Sequence, residues 1–252
     1  MNYENIMDIL KKRYNNKVLM ILKFTSREDF SEDVLDGNLY MNTAKFFREY
    51  EEEHNIKGIG DKNELKLEML PQMLTINIGD KEIKLKPTGN AVFEYDNDKE
   101  MPMYCMTYLT IHDFDIIEYD GSNALIGLNL DIDMLSKDFG EYVTIINGDE
   151  LKKRIFIKLE EYDMEGVFGF VKYEEKYDVK RTEKFLSGSI DRFLYKDKYY
   201  EYQKECRLII DSYVDDDKYF RIGDIRDIAK SCKTSELKEE LIIKIENIQI
   251  QD

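Results

Sequence analysis

The prediction of the fold depends on the stretch Tyr195-Lys-Asp-Lys-Tyr-Tyr-Glu-Tyr-Gln-Lys-Glu-Cys-Arg-Leu-Ile-Ile-Asp211. Its second half predicts a β-strand, because apolar residues at 206 and 208–210 precede the Asp-Ser pair that ends it. Alternate residues of a strand lie on one face, so we expect Gln203, Glu205 and Arg207 to point the same way. Such a strand is either an exposed edge, on which Glu205 and Arg207 form surface ion pairs, or part of a functional site.

The chain has 252 residues, of which 42% are hydrophobic and 36% charged, with a net charge of −16. This length and composition predict one compact domain over residues 1–252 with a sizeable core. The negative charge argues against broad binding of nucleic acid, which requires a dense Lys and Arg surface. We expect a cytoplasmic protein that does not enter a membrane, since the sequence has no signal peptide and no apolar run of spanning length.

Cysteine and histidine are too sparse for a metal site. The three cysteines lie far apart without a Cys-x-x-Cys motif, and there are two histidines, at positions 54 and 112. A structural or catalytic zinc site draws its ligands from closely spaced Cys and His residues. The sequence therefore predicts free thiols and no metal.

The N-terminal third predicts a strand, a loop, a short helix and a second strand within about 25 residues. The apolar run 18–24 has the length of a buried strand, and Ser26 with Asp29 three positions later predicts an N-cap with a capping box. Gly37 predicts the end of the helix, and residues 38–42 predict the second strand.

The remaining pattern is rich in strands. Helical spacing predicts helices over residues 3–15, after Asp131, over 225–229 and over 234–243. Strands are predicted at 75–78 and 82–85 as a hairpin, and at 91–95, 103–109, 142–146 and 167–173. Residues 149–161 are compatible with a helix or a strand. The fold class is α+β, a strand-rich domain with short flanking helices.

A second polar group lies near the middle of the chain. Gly60 and Asp61 predict a turn, and Glu64 follows three residues later. In one interpretation Asp61 and Glu64 are solvated turn residues, and in the other they form a polar cluster with Arg48. The acidic run 49–53 predicts a solvated helix face.

Four short motifs are spread along the chain: Lys23-Phe24, Gly37-Asn-Leu-Tyr40, Gly60-Asp61 with Glu64, and Tyr202-Gln-Lys-Glu-Cys-Arg207. Together with the order of strand, Thr-Ser loop, short helix, Gly and strand, and a much later strand that carries Gln-x-Glu, they resemble the ADP-ribosyltransferase superfamily. Within the superfamily the sequence is most similar to DarT-like proteins and to a widespread bacterial domain family of unknown function. The resemblance implies split antiparallel or mixed sheets and NAD as co-substrate.

The resemblance also implies roles for individual residues. Breaking the bond between nicotinamide and ribose passes through an oxocarbenium-like state, which a carboxylate beneath the sugar stabilises. Glu205 would supply that carboxylate, and Gln203 would meet the acceptor. The dinucleotide would be bound by Lys23, Thr25, Ser26, Tyr40 and Arg207, with Tyr40 stacking on nicotinamide and Arg207 either binding phosphate or orienting Glu205.

The family pattern is incomplete in two places, which leaves three functions open. Lys23 stands where a typical active transferase carries Arg or His, and the Ser-Thr-Ser signature is replaced by Met106-Thr107-Tyr108. The first function is transfer of ADP-ribose to a macromolecule in a bacterial toxin, phage defence or counter-defence setting. The second is a non-enzymatic acidic protein that sequesters a nucleotide signal or inhibits a protein partner. The third is hydrolysis of NAD.

Overall fold

A computed structural model describes residues 3–15, 17–54, 58–70, 73–86, 88–213 and 217–248. Its α-helices are α1 Tyr3–Tyr14, α2 Glu28–Leu35, α3 Ala44–His54, α4 Ile132–Phe139, α5 Gly148–Glu161, α6 Val179–Leu186 and α7 Leu237–Glu240. Its strands are β1 Val18–Thr25, β2 Asn38–Tyr40, β3 Asn42–Thr43, β4 Leu67–Met69, β5 Leu74–Ile78, β6 Lys81–Leu85, β7 Ala91–Phe93, β8 Pro102–Thr110, β9 Phe114–Tyr119, β10 Ala124–Leu128, β11 Tyr142–Ile146, β12 Gly166–Phe170, β13 Lys172–Glu174, β14 Tyr195–Asp197, β15 Glu205–Ile210, β16 Tyr219–Arg221, β17 Ala229–Lys233 and β18 Ile242–Ile245. The predicted α+β class is confirmed.

The largest sheet has seven strands. Six of them follow the order β12-β15-β8-β1-β11-β17, and β3 pairs with the beginning of β8. Every neighbouring pair in this sheet is antiparallel. The strand β15, which contains Glu205 and Arg207, has a partner on each side and is therefore internal.

The central strands β1 and β8 pair along part of their length. Their registered pairs end at Leu22 opposite Thr107. Beyond that point β1 continues to pair with β11 as far as Thr25, whereas β8 continues to pair with β15 back to Met103. The sheet thus divides into two halves where β1 ends and β8 begins.

Apolar side chains cover both faces of this sheet. On one face Leu22 and Phe24 pack in a cluster with residues of α1, α4 and the small antiparallel sheet β9-β10-β18. On the other face Ile21 packs with residues of α2 and α5. Alternate residues of β1 therefore enter two separate cores, as strand geometry requires.

Local signals account well for the strongly periodic segments. The helix predicted over 3–15, the strand over 18–24 and the hairpin at 75–85 are present as α1, β1 and β5-β6. The segment 149–161, which is ambiguous in sequence, is the helix α5, and the side chain of Asn147 caps it by accepting a hydrogen bond from the Glu150 N–H.

The predicted cap of the second helix is wrong. Helix α2 begins at Glu28, so Arg27 rather than Ser26 precedes it, and Arg27 makes no side-chain cap. The Arg27 guanidinium pairs instead with the carboxylate of Asp29. This ion pair engages the carboxylate of Asp29, which the predicted capping box would have needed.

Of the two predicted C-terminal helices, the first is wrong and the second is shorter than predicted. Residues 225–229 form a turn that leads into the edge strand β17, which pairs with β11. Residues 234–243 form a 3₁₀ turn, the single-turn helix α7 and the start of β18. Ile242 and Ile243 are β-branched, and their pairing with β10 prevails over the helical spacing of the segment.

Gly37 supplies a stability prediction. Its φ is +75°, and a Cβ at this position would lie 1.9 Å from the carbonyl oxygen of Gly223. Gly223 has a φ of +82° with open space around its Cβ position. We expect Gly223→Ala to cost about 1 kcal/mol from backbone strain alone. Gly37→Ala should lower the free energy of unfolding by clearly more than this, because backbone strain and a clash with the Gly223 carbonyl act together. Urea unfolding of both variants measures the two losses, and equal losses would contradict the prediction.

Candidate functional site

A cavity of about 550 Å³ opens where β1 and β8 diverge, and we call it the cleft. Its sides are formed by the end of β1, by α2, and by β2, β3 and α3. The base is formed by residues of β8 and β15. The division of the sheet thus creates the space.

The structure brings most of the sequence-predicted site residues to the cleft. Its lining includes Lys23, Thr25, Ser26, Tyr40, Glu64, Gln203, Glu205 and Arg207. Arg48 and Asp61 do not line it. Residues from three distant parts of the chain therefore meet in one place.

Glu205 and Arg207 lie in the interior. Their relative exposures are 5% and 1%, because β15 is flanked by β12 and β8. The alternative of an exposed edge with surface ion pairs is therefore wrong. A buried charge pair is stable only when its hydrogen-bonding groups are satisfied.

Each nitrogen of the Arg207 guanidinium is hydrogen-bonded. Nε donates to Glu205 Oε1 at 2.5 Å. The two terminal nitrogens donate to the Glu64 carboxylate at 2.8 and 3.1 Å, one of them also to the Phe193 carbonyl oxygen. This bidentate geometry is the strongest form of an Arg–carboxylate pair. The contacts support the role of orienting Glu205 rather than binding phosphate.

Lys196 is the residue that sequence reasoning missed. Its Nζ donates to Gln203 Oε1 at 2.9 Å and to Glu205 Oε2 at 3.1 Å, and lies 3.9 Å from Glu64 Oε2. The side chain is 6% exposed. Lys196 belongs to β14, outside the strand of Glu205, so no periodicity in the sequence connects them. We call Glu64, Lys196, Glu205 and Arg207 the ion network.

Gln203 does not lie on the strand, which corrects the prediction that it extends the face of Glu205 and Arg207. It ends the 3₁₀ helix Lys198–Gln203, and Lys204 has a left-handed φ of +45°. This residue breaks the alternation of a strand. The Gln203 side chain nevertheless reaches the cleft, and its amide nitrogen donates to the Gly58 carbonyl oxygen at 2.9 Å.

Lys204 anchors this irregular segment. Its ammonium group pairs with the carboxylate of Asp113, which also accepts the Thr110 backbone N–H at 2.7 Å. The pair ties the left-handed residue to the end of β8. It thereby holds the start of β15 in place despite the unfavourable φ.

The ion network controls the protonation of Glu205. Burial alone would raise the pKa of Glu205, but Arg207 and Lys196 hold it well below the ordinary range of a carboxyl group. Burial alone would lower the pKa of Lys196, whereas Glu205 and Glu64 raise it. At neutral pH Glu205 is therefore an anion that accepts hydrogen bonds and stabilises positive charge.

Arg48, Asp61 and Glu64, which the sequence groups as a possible polar cluster, are all buried rather than solvated. Nε of Arg48 donates to the Glu64 backbone carbonyl at 2.7 Å, and its terminal nitrogen pairs with Glu94 at 2.6 Å. In the acidic run, Glu51 is also buried and accepts the Lys62 N–H at 2.8 Å. The expectation of a wholly solvated acidic face is therefore wrong at Glu51.

Lys23 extends from β1 across the division of the sheet. Its Nζ donates to the Cys105 carbonyl oxygen at 2.9 Å and lies 4.3 Å from the centre of the Tyr104 ring. Burial lowers the pKa of Lys23. Within the part of the chain that the structure describes, no salt bridge joins a carboxylate to this ammonium group, and Lys23 lines the cleft.

Thr25 and Ser26 continue the same wall. The Thr25 hydroxyl is buried, 3.1 Å from the Ser31 hydroxyl and 3.3 Å from the Arg27 carbonyl oxygen, so it holds the beginning of α2. Ser26 is exposed at the surface of the cleft. Of the two, Ser26 is the more accessible to a ligand.

The mouth of the cleft is aromatic. Tyr40 is 45% exposed and packs edge-to-face against Tyr219, with ring centroids 5.2 Å apart. The Tyr219 hydroxyl in turn lies 3.3 Å from the Asp33 carboxylate. Phe30 and Phe46 are exposed rings on α2 and α3 that also line the cleft. Such surfaces suit planar, apolar parts of a ligand.

Removal of Arg207 tests the role of the ion network in stability. Arg207→Met leaves Glu64 and Glu205 buried without their main counter-charge, so we expect a loss of about 3–5 kcal/mol in the free energy of unfolding. Arg27→Met removes an exposed partner of Asp29 and should cost less than about 1 kcal/mol. Urea unfolding measures both, and similar losses would contradict the assignment.

Asp61 predicts a pH dependence of stability. Burial and the neighbouring Glu64 raise the pKa of Asp61 to about 6. Since its pKa in the unfolded chain is about 4, the folded state binds the extra proton between these values and loses stability as pH rises through them. Asp61→Asn should therefore be more stable than the wild type above pH 6.

The difference between Asp61→Asn and wild type should disappear below about pH 4, where Asp61 is protonated in both states. Thermal unfolding at pH 4 and pH 8 measures it. Asp96 has a side chain that is 93% exposed, so Asp96→Asn is a matched control with little effect at either pH. A stability difference that is the same at both pH values would contradict the prediction.

Comparison with known proteins found no match, so the geometry of the cleft is the basis on which a function is proposed. No protein-family model matches the chain, and neither the curated proteins nor the solved structures include a match. The described residues contain no group of three or more His, Cys, Asp or Glu placed to hold a metal ion. Among the helices of the described ranges, none is long and apolar enough to cross a membrane.

Proposed function

We propose that this protein is an NAD-dependent ADP-ribosyltransferase with a macromolecular acceptor, and that the cleft binds the dinucleotide. One observation carries the proposal: Lys23, Tyr40 and Glu205, which come from β1, β2 and β15, line a single cavity where the sheet divides. The resemblance of the four sequence motifs assigns these residues to one site, and their meeting supports that assignment.

Glu205 is suited to the catalytic step. Its carboxylate is ionised and held on a rigid strand at the base of the cleft. An anion in this position stabilises the positive charge that develops on the ribose as nicotinamide leaves, and its oxygens accept a hydrogen bond from the 2′-hydroxyl. Preorganised charge of this kind requires no rearrangement during the reaction.

The other predicted residues divide into binding and acceptor roles. Tyr40 offers an exposed ring for stacking on the nicotinamide, and Lys23 offers a cation for a phosphate group. Gln203 shares the ammonium group of Lys196 with Glu205, which places its amide beside the catalytic carboxylate. An acceptor approaching the ribose would meet this amide.

The dimensions of the cleft are compatible with a nucleotide ligand. Its volume of about 550 Å³ lies within the range of small-molecule sites, which is about 300–1,000 Å³. Apolar and aromatic side chains form its mouth, and the ion network lies at its base. A few polar groups at the base of an apolar pocket are typical of sites that orient a ligand.

A second function is favoured by the hydrogen bonds of Glu205. Both carboxylate oxygens are engaged: Oε1 by Arg207, and Oε2 by Lys196 and Arg207. This saturation leaves little capacity for the ribose hydroxyl. It would suit a protein that binds and sequesters a nucleotide without cleaving it.

Labelled NAD distinguishes these two functions from each other and from hydrolysis of NAD. The purified protein is incubated with NAD labelled in the adenylate half and with a bacterial lysate, and the label is followed in macromolecules and as free ADP-ribose. Label in a macromolecule supports the transferase. Free ADP-ribose alone supports an NAD hydrolase, and retained NAD binding without cleavage supports the sequestering protein. Absence of NAD binding would overturn the transferase, the hydrolase and the sequestration of NAD.

Glu205→Gln tests the catalytic carboxylate. We expect label transfer to fall by about 100-fold or more, because the charge that stabilises the oxocarbenium-like state is lost. Glu201→Gln is the matched control, because Glu201 is an exposed glutamate four residues earlier in the same segment. This variant should transfer label like the wild type. Circular dichroism checks that both variants fold. Unchanged transfer by Glu205→Gln would exclude Glu205 as the catalytic group.

A further inference from the structure

Two short strands outside the main sheet converge on Glu205. β13 and β14 form a parallel pair in which Tyr173 lies opposite Lys196. The Tyr173 hydroxyl accepts the backbone N–H of Glu205 at 2.7 Å, and Lys196 donates to its carboxylate at 3.1 Å. The paired residues Tyr173 and Lys196 thus contact the main chain and the side chain of Glu205, respectively.

The backbone of Glu205 needs this support. Glu205 is the first residue of β15, and Lys204 before it has a left-handed φ that no regular strand adopts. Its carbonyl oxygen accepts the Val171 N–H at 2.9 Å, while its N–H is bound by the Tyr173 hydroxyl. Both polar groups of this peptide are therefore satisfied from the segment around β13.

The carboxylate of Glu205 is held from two directions. Arg207 reaches it from the same strand: its Nε donates to Oε1 at 2.5 Å and one terminal nitrogen donates to Oε2 at 3.3 Å, while both terminal nitrogens also donate to Glu64. Lys196 reaches Oε2 from β14. Donors that approach from two different strands fix the position of the carboxylate, whereas Arg207 alone would hold it from one side.

Lys196 also replaces the alignment that a regular strand would have provided. Because Lys204 breaks the alternation, the backbone does not place Gln203 beside Glu205. The ammonium group of Lys196 instead donates hydrogen bonds to both side chains, at 2.9 Å to Gln203 and at 3.1 Å to Glu205. The spacing of the two side chains in the cleft therefore depends on a residue from another strand.

We propose that the β13-β14 pair is a brace that positions Glu205 for reaction, with Lys196 and Tyr173 as positioning residues. This inference rests on the proposed function of the cleft. It differs from a purely structural role, because it predicts changes in turnover and in the ionisation of Glu205 as well as in stability. A preorganised site of this kind depends on the residues that hold the reacting group.

The surroundings of Glu205 determine the expected pH effect. The charged and titratable groups that face it or share its partners are Arg207 and Cys206 on β15, Lys196 on β14, Tyr173 on β13, Cys105 on β8, Lys23 on β1, and Glu64. Arg207 and Lys196 are the cations that lower the pKa of Glu205. Loss of Lys196 should therefore let Glu205 take up a proton at a higher pH.

Lys196→Met and Lys196→Arg form the main test, with NAD turnover as the readout. We expect Lys196→Met to lower kcat by about 100-fold with little change in KM, because a displaced carboxylate loses its effect on the transition state. The acid limb of its kcat profile should move toward about pH 4, the ordinary range of a carboxyl group. Lys196→Arg keeps the cation and should restore most of kcat.

A second readout does not depend on turnover. Carbon-13 NMR of the side-chain carboxyl groups follows the titration of Glu205, which is assigned by the signal missing in Glu205→Gln. Lys196→Met should raise its midpoint. Lys198→Met is the matched control: Lys198 is a neighbouring lysine with a 56% exposed side chain that pairs with Glu175, and its loss should leave the midpoint unchanged.

These readouts separate the two proposals. If the wild type does not cleave NAD, the proposed function fails, and the NMR midpoint still tests whether Lys196 controls Glu205. If NAD is cleaved but Lys196→Met keeps the wild-type kcat, pH profile and midpoint, the brace is overturned alone. Should Lys196→Met not fold, Tyr173→Phe removes one hydroxyl and should lower kcat by about 10-fold at constant KM; an unchanged kcat would overturn the brace.

Discussion

The buried guanidinium of Arg207 is the constraint on which the rest of the site depends. A cation that is 1% exposed is tolerated only if its nitrogens are bound and its charge is balanced. Glu64, about 140 residues earlier in the chain, and Glu205, on the same strand, meet that requirement. The segment that follows α3 is thereby tied to β15 at the base of the cleft.

The same balance explains how Glu205 remains ionised in the interior. The ion network contains two carboxylates and two cations, so the base of the cleft is highly polar without net charge. Interior charges of this kind contribute little net stability and much specificity of arrangement. The division between β1 and β8 is what gives a ligand access to this otherwise closed group.

Catalysis and binding make opposite demands on this arrangement. A carboxylate held by Lys196 and Arg207 is well oriented, which favours reaction, yet its oxygens are already occupied. Reaction on NAD would require the ribose hydroxyl to share an acceptor oxygen or to displace one donor. The hydrogen bonds at Oε2 are the longer ones, at 3.1 and 3.3 Å, which makes this oxygen the more available of the two.

The sequence by itself determined what depends on local geometry. A repeat of two residues places Glu205 and Arg207 on one face, and apolar runs and spacing predict β1, the hairpin and α1, because the backbone imposes these periods on any strand or helix. The Ser26 cap failed where an ion pair outweighed local preference, and the helix predicted at 234–243 stops at Glu240 because strand pairing begins at Ile242.

Tertiary structure alone decided which strand is internal, which carboxylates are buried and which residues from elsewhere contact Glu205. Lys196 carries no sequence signal of its role, since it reaches Glu205 across space from a strand with its own register. Gln203 likewise depends on the left-handed turn at Lys204 rather than on strand alternation. Partners and burial come from long-range pairing, which local periodicity does not encode.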